Sequence, residues 1–218
     1  MTTTSGLSYE ERRAIEVAEK QAALAALETL RTDLARILNF KYVTFPAAEE
    51  REGYLVTPEG ARVYVSYEGY NQYERVSVSG YLNIGKNNQY VEAYDPANNN
   101  QRVSLESISV AVKRGAEVIA KEITRRFLPQ YLRIFALAQA RVRRDVEYQS
   151  NVRRNLVTLL PLIGKTEKDL REDYSEISYY TEGRGYGTIR SHEDSVTLTL
   201  NSVSVEKAKQ ILAILEIK

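Results

Sequence analysis

Between Tyr42 and Val112 the apolar positions recur at every second residue, whereas the stretches before and after carry them at every third or fourth. Few architectures accommodate that change. A strand turns alternate side chains to opposite faces and a helix gathers them into one stripe, so the flanking helices must cover one face of a central sheet.

The first helix announces its own start. Ser8-Tyr9-Glu10-Glu11 is a capping box, in which the serine oxygen takes up an orphan amide and Glu11 reaches back. Leu27, Leu30, Leu34 and Ile37 follow at helical spacing behind Ala22, Ala23 and Ala26, which predicts a long helix ending near Asn39. Its leucine stripe spans too few heptads to demand a coiled coil, so packing on the chain's own sheet is expected, with a homodimer through this N-terminal helix as the other option.

Within the alternating region, Tyr54 to Thr57 and Ala61 to Glu68 flank Pro58-Glu59-Gly60 and predict a hairpin. A turn at residues 69–71 leads to a strand over Gln72 to Leu82. Further strands are expected at Gln89 to Tyr94 and Val103 to Val112, separated by the Asp95–Asn100 loop. The apolar run Leu156 to Gly164 should be buried. Beyond it, Ser175 to Thr181, Tyr186 to Ser191 and Ser195 to Asn201 read as strands, and Ser204 caps a last helix over Val205 to Ile217. The predicted fold is α+β: a long N-terminal helix and a basic helical pair packed on an antiparallel β-meander, with a C-terminal β-β-β-α unit. The expected organisation is a disordered tail (1–7), a main domain (8–164), a connector (165–173) and a small C-terminal unit (174–218).

The basic pair lies in Lys113 to Arg154. Lys113, Arg114, Lys121, Arg125, Arg126, Arg133, Arg141, Arg143, Arg144, Arg153 and Arg154 outnumber four acids there, although the whole chain carries a formal net charge of only +1. The excess is therefore local, and any attraction to an anionic partner must act through a patch. At helical spacing Arg126, Arg133 and Arg144 fall within about 20° of one another, opposite Phe127, Tyr131, Phe135, Ala138, Val142 and Val146. Pro129 lacks a donor and clashes with the preceding turn, so either a first helix, Ala116 to Phe127, stops and a second starts with Pro129 in its first turn, or one helix is kinked there. Two helices are expected, which would detach Arg126 from the stripe.

A second candidate surface lies on the sheet. Val63, Val65 and Tyr67, with Val76, Val78 and Leu82, should point to the core, leaving Arg62, Tyr64, Ser66, Tyr73, Ser77, Ser79 and Tyr81 outside. Rigid amphipathic rings among small hydroxyls have the composition of a paratope, although tyrosine also has high strand propensity.

Catalytic and cofactor motifs fail on inspection. The chain has no cysteine, which removes disulfides, thiolate catalysis and cysteine zinc sites. Gly164-Lys165-Thr166 resembles the tail of a phosphate-binding loop, but Leu159 stands where the first glycine belongs and Pro161 lies inside. Gly183 to Gly187 falls between two strands and is no dinucleotide fingerprint. His192, the single histidine, sits beside Glu193 and Asp194 in a turn and reads as a solvated loop residue. No enzyme, metal site or cofactor is expected. No apolar run reaches the roughly 20 residues of a membrane span, and a cytoplasmic protein is expected, in a cell or a virus-infected cell.

The expected function is non-enzymatic binding. In one reading the chain is a protein-binding adaptor or inhibitor, of the kind a virus or mobile element carries. Arg133, Arg141, Arg143 and Arg144 would meet an acidic partner, with Tyr64, Tyr73 and Tyr81 as anchors. In the other, the same arginines neutralise phosphates of a nucleic acid bound with weak sequence preference, and the tyrosines stack on bases.

Overall fold

The structure, a computed structural model, describes residues 8–44, 53–68, 73–170, 175–181 and 185–214. Helix α1 runs from Tyr9 to Leu38. Both bonds of the capping box form, Glu11 N–H to Ser8 Oγ at 3.3 Å and Ser8 N–H to Glu11 Oε2 at 2.8 Å. Asn39, in the left-handed conformation, ends the helix. Leu27, Leu30, Leu34 and Ala35 are buried in the chain's own core, so the leucine stripe is occupied within the fold.

The chain forms two compact units, Met1–Val142 and Arg143–Lys218. In the first, strands β1 (Lys41–Thr44), β2 (Gly53–Val56), β3 (Arg62–Tyr67) and β4 (Arg75–Tyr81) make an antiparallel meander, and β7 (Ile108–Ala111) closes it beside β4. The Pro58–Gly60 turn forms as expected, with Gly60 at φ +84° donating its N–H to Thr57 O at 2.9 Å. Residues 69–71 lie outside the described residues. Between β4 and β7 the chain departs into a separate two-stranded hairpin, β5 (Ala93–Asp95) and β6 (Gln101–Val103). Pro96 and left-handed Asn99 and Asn100 turn it tightly.

Helix α2 (Gly115–Glu122) and helix α3 (Leu128–Leu159) are the basic pair. No break separates them. Ile123 to Phe127 form a π-helical turn, and Leu128 N–H reaches Ile123 O instead of the usual carbonyl. The wider turn accommodates Pro129 by shifting the hydrogen-bond register where its missing donor would leave a gap. Phe127, Tyr131, Ile134, Phe135 and Ala138 are buried, but Val146 is 64% exposed, so the predicted apolar side ends before it.

One residue of α3 fixes the sheet. Tyr131 is fully buried; its single hydroxyl proton is shared between Arg62 O at 2.7 Å and Tyr81 O at 3.1 Å, and its oxygen accepts from Tyr81 N–H at 3.2 Å. These are the residues where β3 begins and β4 ends. The ring lies against Gly80, where a Cβ would stand 2.2 Å from a ring carbon. Arg31 makes a comparable link from α1. It is buried and donates through Nε to Val65 O at 2.9 Å, just past Tyr64, the last β3 residue that pairs with β2.

In the second unit, Val152, Leu156 and Leu160 of α3 and the turn after it pack on Ile177 and Ile189. Those isoleucines belong to β8 (Glu176–Thr181) and β9 (Gly185–Ser191), which with β10 (Val196–Asn201) form a sheet in the order β10-β9-β8. Leu162 is 79% exposed, so burial of Leu156 to Gly164 is only partial. The apolar residues of β10 are exposed too, against the half-buried alternation expected. Helix α4 (Val205–Ile214) follows and buries none of its residues; the expected extension to Ile217 lies outside the described residues.

Gly80→Ala should destabilise the protein by about 3 kcal/mol, since the new methyl overlaps a buried ring that cannot retreat. Tyr131→Phe keeps the ring but removes the hydroxyl's part-buried bonds to the Arg62 and Tyr81 main chain, and should cost about 1 kcal/mol. Urea denaturation of both variants measures these losses.

Candidate binding surfaces

The outward face of the first sheet is built by register. Val43, Tyr54, Tyr64 and Ser79 lie in one row across β1 to β4, and Lys41, Val56, Arg62 and Tyr81 lie in the next. The alternate positions Leu55, Val63, Val65, Val76 and Val78 are buried under the helices, which sends these two rows to the opposite face. Three tyrosine rings meet there. Tyr54 and Tyr64 have centroids 5.5 Å apart, Tyr64 and Tyr81 5.2 Å, and the Arg62 guanidinium lies 5.3 Å from the Tyr54 ring centre.

Beyond the rings, Ser66, Ser77 and Ser109 form a row of hydroxyls. Glu68 bounds it, held by Arg75 at 3.2 Å and by the Ser109 hydroxyl. The Ser109 hydrogen bond, then Arg75, keeps the Glu68 carboxyl below the usual carboxylate range. The aromatic part of the face carries two cations, Lys41 and Arg62, and no acid among the described residues of its two rows.

Of the three tyrosines expected here, Tyr64 and Tyr81 are in the ladder. Tyr73 precedes β4 and packs edge-on against Tyr67, 5.1 Å away, whose hydroxyl donates to Ala23 O of α1. Tyr54 completes the ladder and was not among the expected anchors. Its alternation with the buried Leu55 was the available signal.

The arginines are distributed differently. Arg133 makes an ion pair with Asp95, and Arg141 donates to Glu92 O at 3.2 Å while lying 4.9 Å from the Tyr94 ring centre. Both partners come from the β5–β6 hairpin or the residue before it. At the π-helical turn, Glu122 gathers Arg125 and Arg126 at 3.2 Å each and Arg114 at 3.9 Å. In the second unit Arg153 pairs with Glu167 at 2.8 Å. Arg143 and Arg144, also in the second unit, are exposed and make no ion pair with another described residue.

The rejected motifs have mundane structures. Left-handed Gly164 ends the turn after α3, and Thr166 caps a short 3-10 turn, Glu167–Asp169, through its own capping box. His192 lies in the β9–β10 turn, where Asn155 Nδ2 donates to its carbonyl at 3.0 Å. Arg184 lies outside the described residues. No group of three or more His, Asp or Glu among the described residues is placed to hold a metal ion, and no helix among them is long and apolar enough to cross a membrane. No family model matches the chain, and no curated protein or solved structure matches it significantly.

The Glu122 carboxyl is held below the usual range by Arg126 first and Arg125 next. A depressed folded-state pKa stabilises the fold above the unfolded carboxylate value, and that contribution disappears as pH falls through the folded value. Glu122→Gln should therefore melt below the parent at neutral pH. The gap should close on acidification, because the parent then protonates as well, and paired thermal melts between pH 7 and pH 2.5 measure it.

Proposed function

We propose that this chain is a non-catalytic protein-binding module, an adaptor or inhibitor, whose contact surface is the tyrosine and serine face of the five-stranded sheet. The observation that carries the reading is the Tyr54–Tyr64–Tyr81 ladder with Arg62 beside it, on the face opposite the helices. Tyrosine and arginine dominate the energetics of protein interfaces because each buries a large surface while keeping polar contacts. Here the rings already restrain one another, so little side-chain freedom remains to be lost on binding. The serine row supplies small donors and acceptors around them.

A nucleic-acid partner is favoured less, because phosphate binding needs cations that are not already engaged. Arg133 and Arg141 have partners on or beside the β5–β6 hairpin and Glu122 collects three more arginines, so of the four arginines expected to make contact only Arg143 and Arg144 make no ion pair with another described residue. Lys41 and Arg62 are a short track for a polyanion.

Affinity purification from the native host, with and without nuclease, tests the partner class. A nuclease-resistant protein retained by the parent chain supports the reading, and nucleic acid alone, lost on nuclease treatment, overturns it. Tyr64→Ala and Tyr81→Ala should each weaken that partner by about 30-fold, the loss of a central aromatic anchor. Tyr73→Ala, away from the ladder, should change affinity by less than about threefold. Titration calorimetry with the purified partner reads all three.

A further inference from the structure

Strand β10 ends its sheet. Its inner edge pairs with β9, and among the described residues nothing pairs with its outer edge. Exposed edges of this kind are commonly blunted by lysine, glutamate, proline or a bulge, because an open row of amides and carbonyls invites another strand. Val196-Thr197-Leu198-Thr199-Leu200-Asn201 contains none of these residues, whereas β8, at the opposite edge, carries Glu176 in an ion pair with Arg190 at 2.6 Å.

The apolar side chains of β10 are continuous with a buried layer. Ile177, Ile189 and Leu198 lie in one row across the three strands, and their exposures are 6%, 3% and 61%. The end of α3 covers the first two, while the third, with Val196 and Leu200 on the same side, is open. The layer therefore stops at the sheet edge without a cover.

We propose that a second copy of this chain pairs with β10 along that edge, antiparallel and related by a two-fold axis through Leu198. In this register Val196 faces Leu200 of the second copy, Leu198 faces Leu198, and Thr197 faces Thr199, so every apolar residue meets an apolar one and every threonine a threonine. A slip by one residue would set leucine against threonine, so keeping the apolar side chains of the two copies on one face excludes it, and centring on Leu198 engages all three of them. The edge is thus complementary to itself, as a two-fold interface requires. The Ile177–Ile189–Leu198 row would run on through its two-fold mate as one layer under a six-stranded sheet. The three apolar side chains offer on the order of 250 Å² per copy, below the roughly 800 Å² of a standard interface, so the dimer is weak and concentration-dependent.

Sedimentation equilibrium on the full chain, up to about 0.5 mM, tests the proposal. The parent should approach twice its 24.8 kDa monomer mass, and Leu198→Lys should remain monomeric with an unchanged melting temperature. Because the chain has no cysteine, Leu198→Cys provides a second readout: mild oxidation should crosslink it to a covalent dimer at least about tenfold faster than Thr188→Cys, on the central strand. If Leu198→Lys fails to fold, the crosslinking rates decide. A parent that stays monomeric over this range, a dimer that survives Leu198→Lys, or equal crosslinking at positions 198 and 188 would each overturn the proposal.

Discussion

The Tyr131 hydroxyl is the contact on which the first unit depends. It sits where β3 begins and β4 ends, shares its proton between Arg62 O and Tyr81 O, and accepts from Tyr81 N–H. Burial raises the Tyr131 phenol above its ordinary value, so the group stays neutral and keeps its proton for the carbonyls. Gly80 makes the arrangement feasible, because any larger residue would occupy the space of the ring. The two residues the hydroxyl holds, Arg62 and Tyr81, send their own side chains to the far face. One buried contact on the helix side therefore fixes the backbone that presents the tyrosine ladder.

The basic run has a different meaning in three dimensions from the one its charge count suggests. An arginine excess in sequence is a surface for partners only if the fold leaves the guanidinium groups unengaged. Here the β5–β6 excursion brings Asp95 to Arg133 and, with the residue before it, Glu92 and Tyr94 to Arg141. Glu92 is itself held ionised by the Tyr94 hydroxyl and by Arg102 and Arg141. Exposed pairs of this kind contribute little stability singly. Their effect is on availability, since a phosphate or carboxylate from outside would have to displace an acid already in place.

Much of the fold was legible because its signals are local. The capping box placed the start of α1, Pro58 to Gly60 placed a hairpin, and period-two alternation separated the two faces of β3 and β4. What escaped the sequence depends on contacts distant along the chain. Pro129 announced a helix break, but the helix continues through a π-helical turn that keeps Phe127 and Tyr131 both in the buried core. The turn residues of Asp95–Asn100 were legible, but the pairing of β4 with β7 across the β5–β6 excursion is a non-local contact. In β10 the alternation was clear, yet α3 covers only β8 and β9, so a half-buried pattern became an exposed one. Tyr64 and Tyr81 were readable as outward residues, whereas the inward packing of Tyr73 on Tyr67 follows from the course of the chain before β4.

The sequence offered two surfaces together: on the proposed function the tyrosine face makes the contact, while of the α3 arginines Arg133 and Arg141 are engaged within the fold and Arg143 and Arg144 make no ion pair with another described residue. A saturation mutational scan that scores folding and partner binding in parallel tests this most directly. Substitutions that abolish binding while preserving folding should cluster at Tyr54, Arg62, Tyr64 and Tyr81, and Arg133 and Arg141 should affect binding only as far as they affect folding. A cluster of binding-specific losses at Arg133, Arg141, Arg143 and Arg144, with the tyrosine positions tolerant, would contradict it.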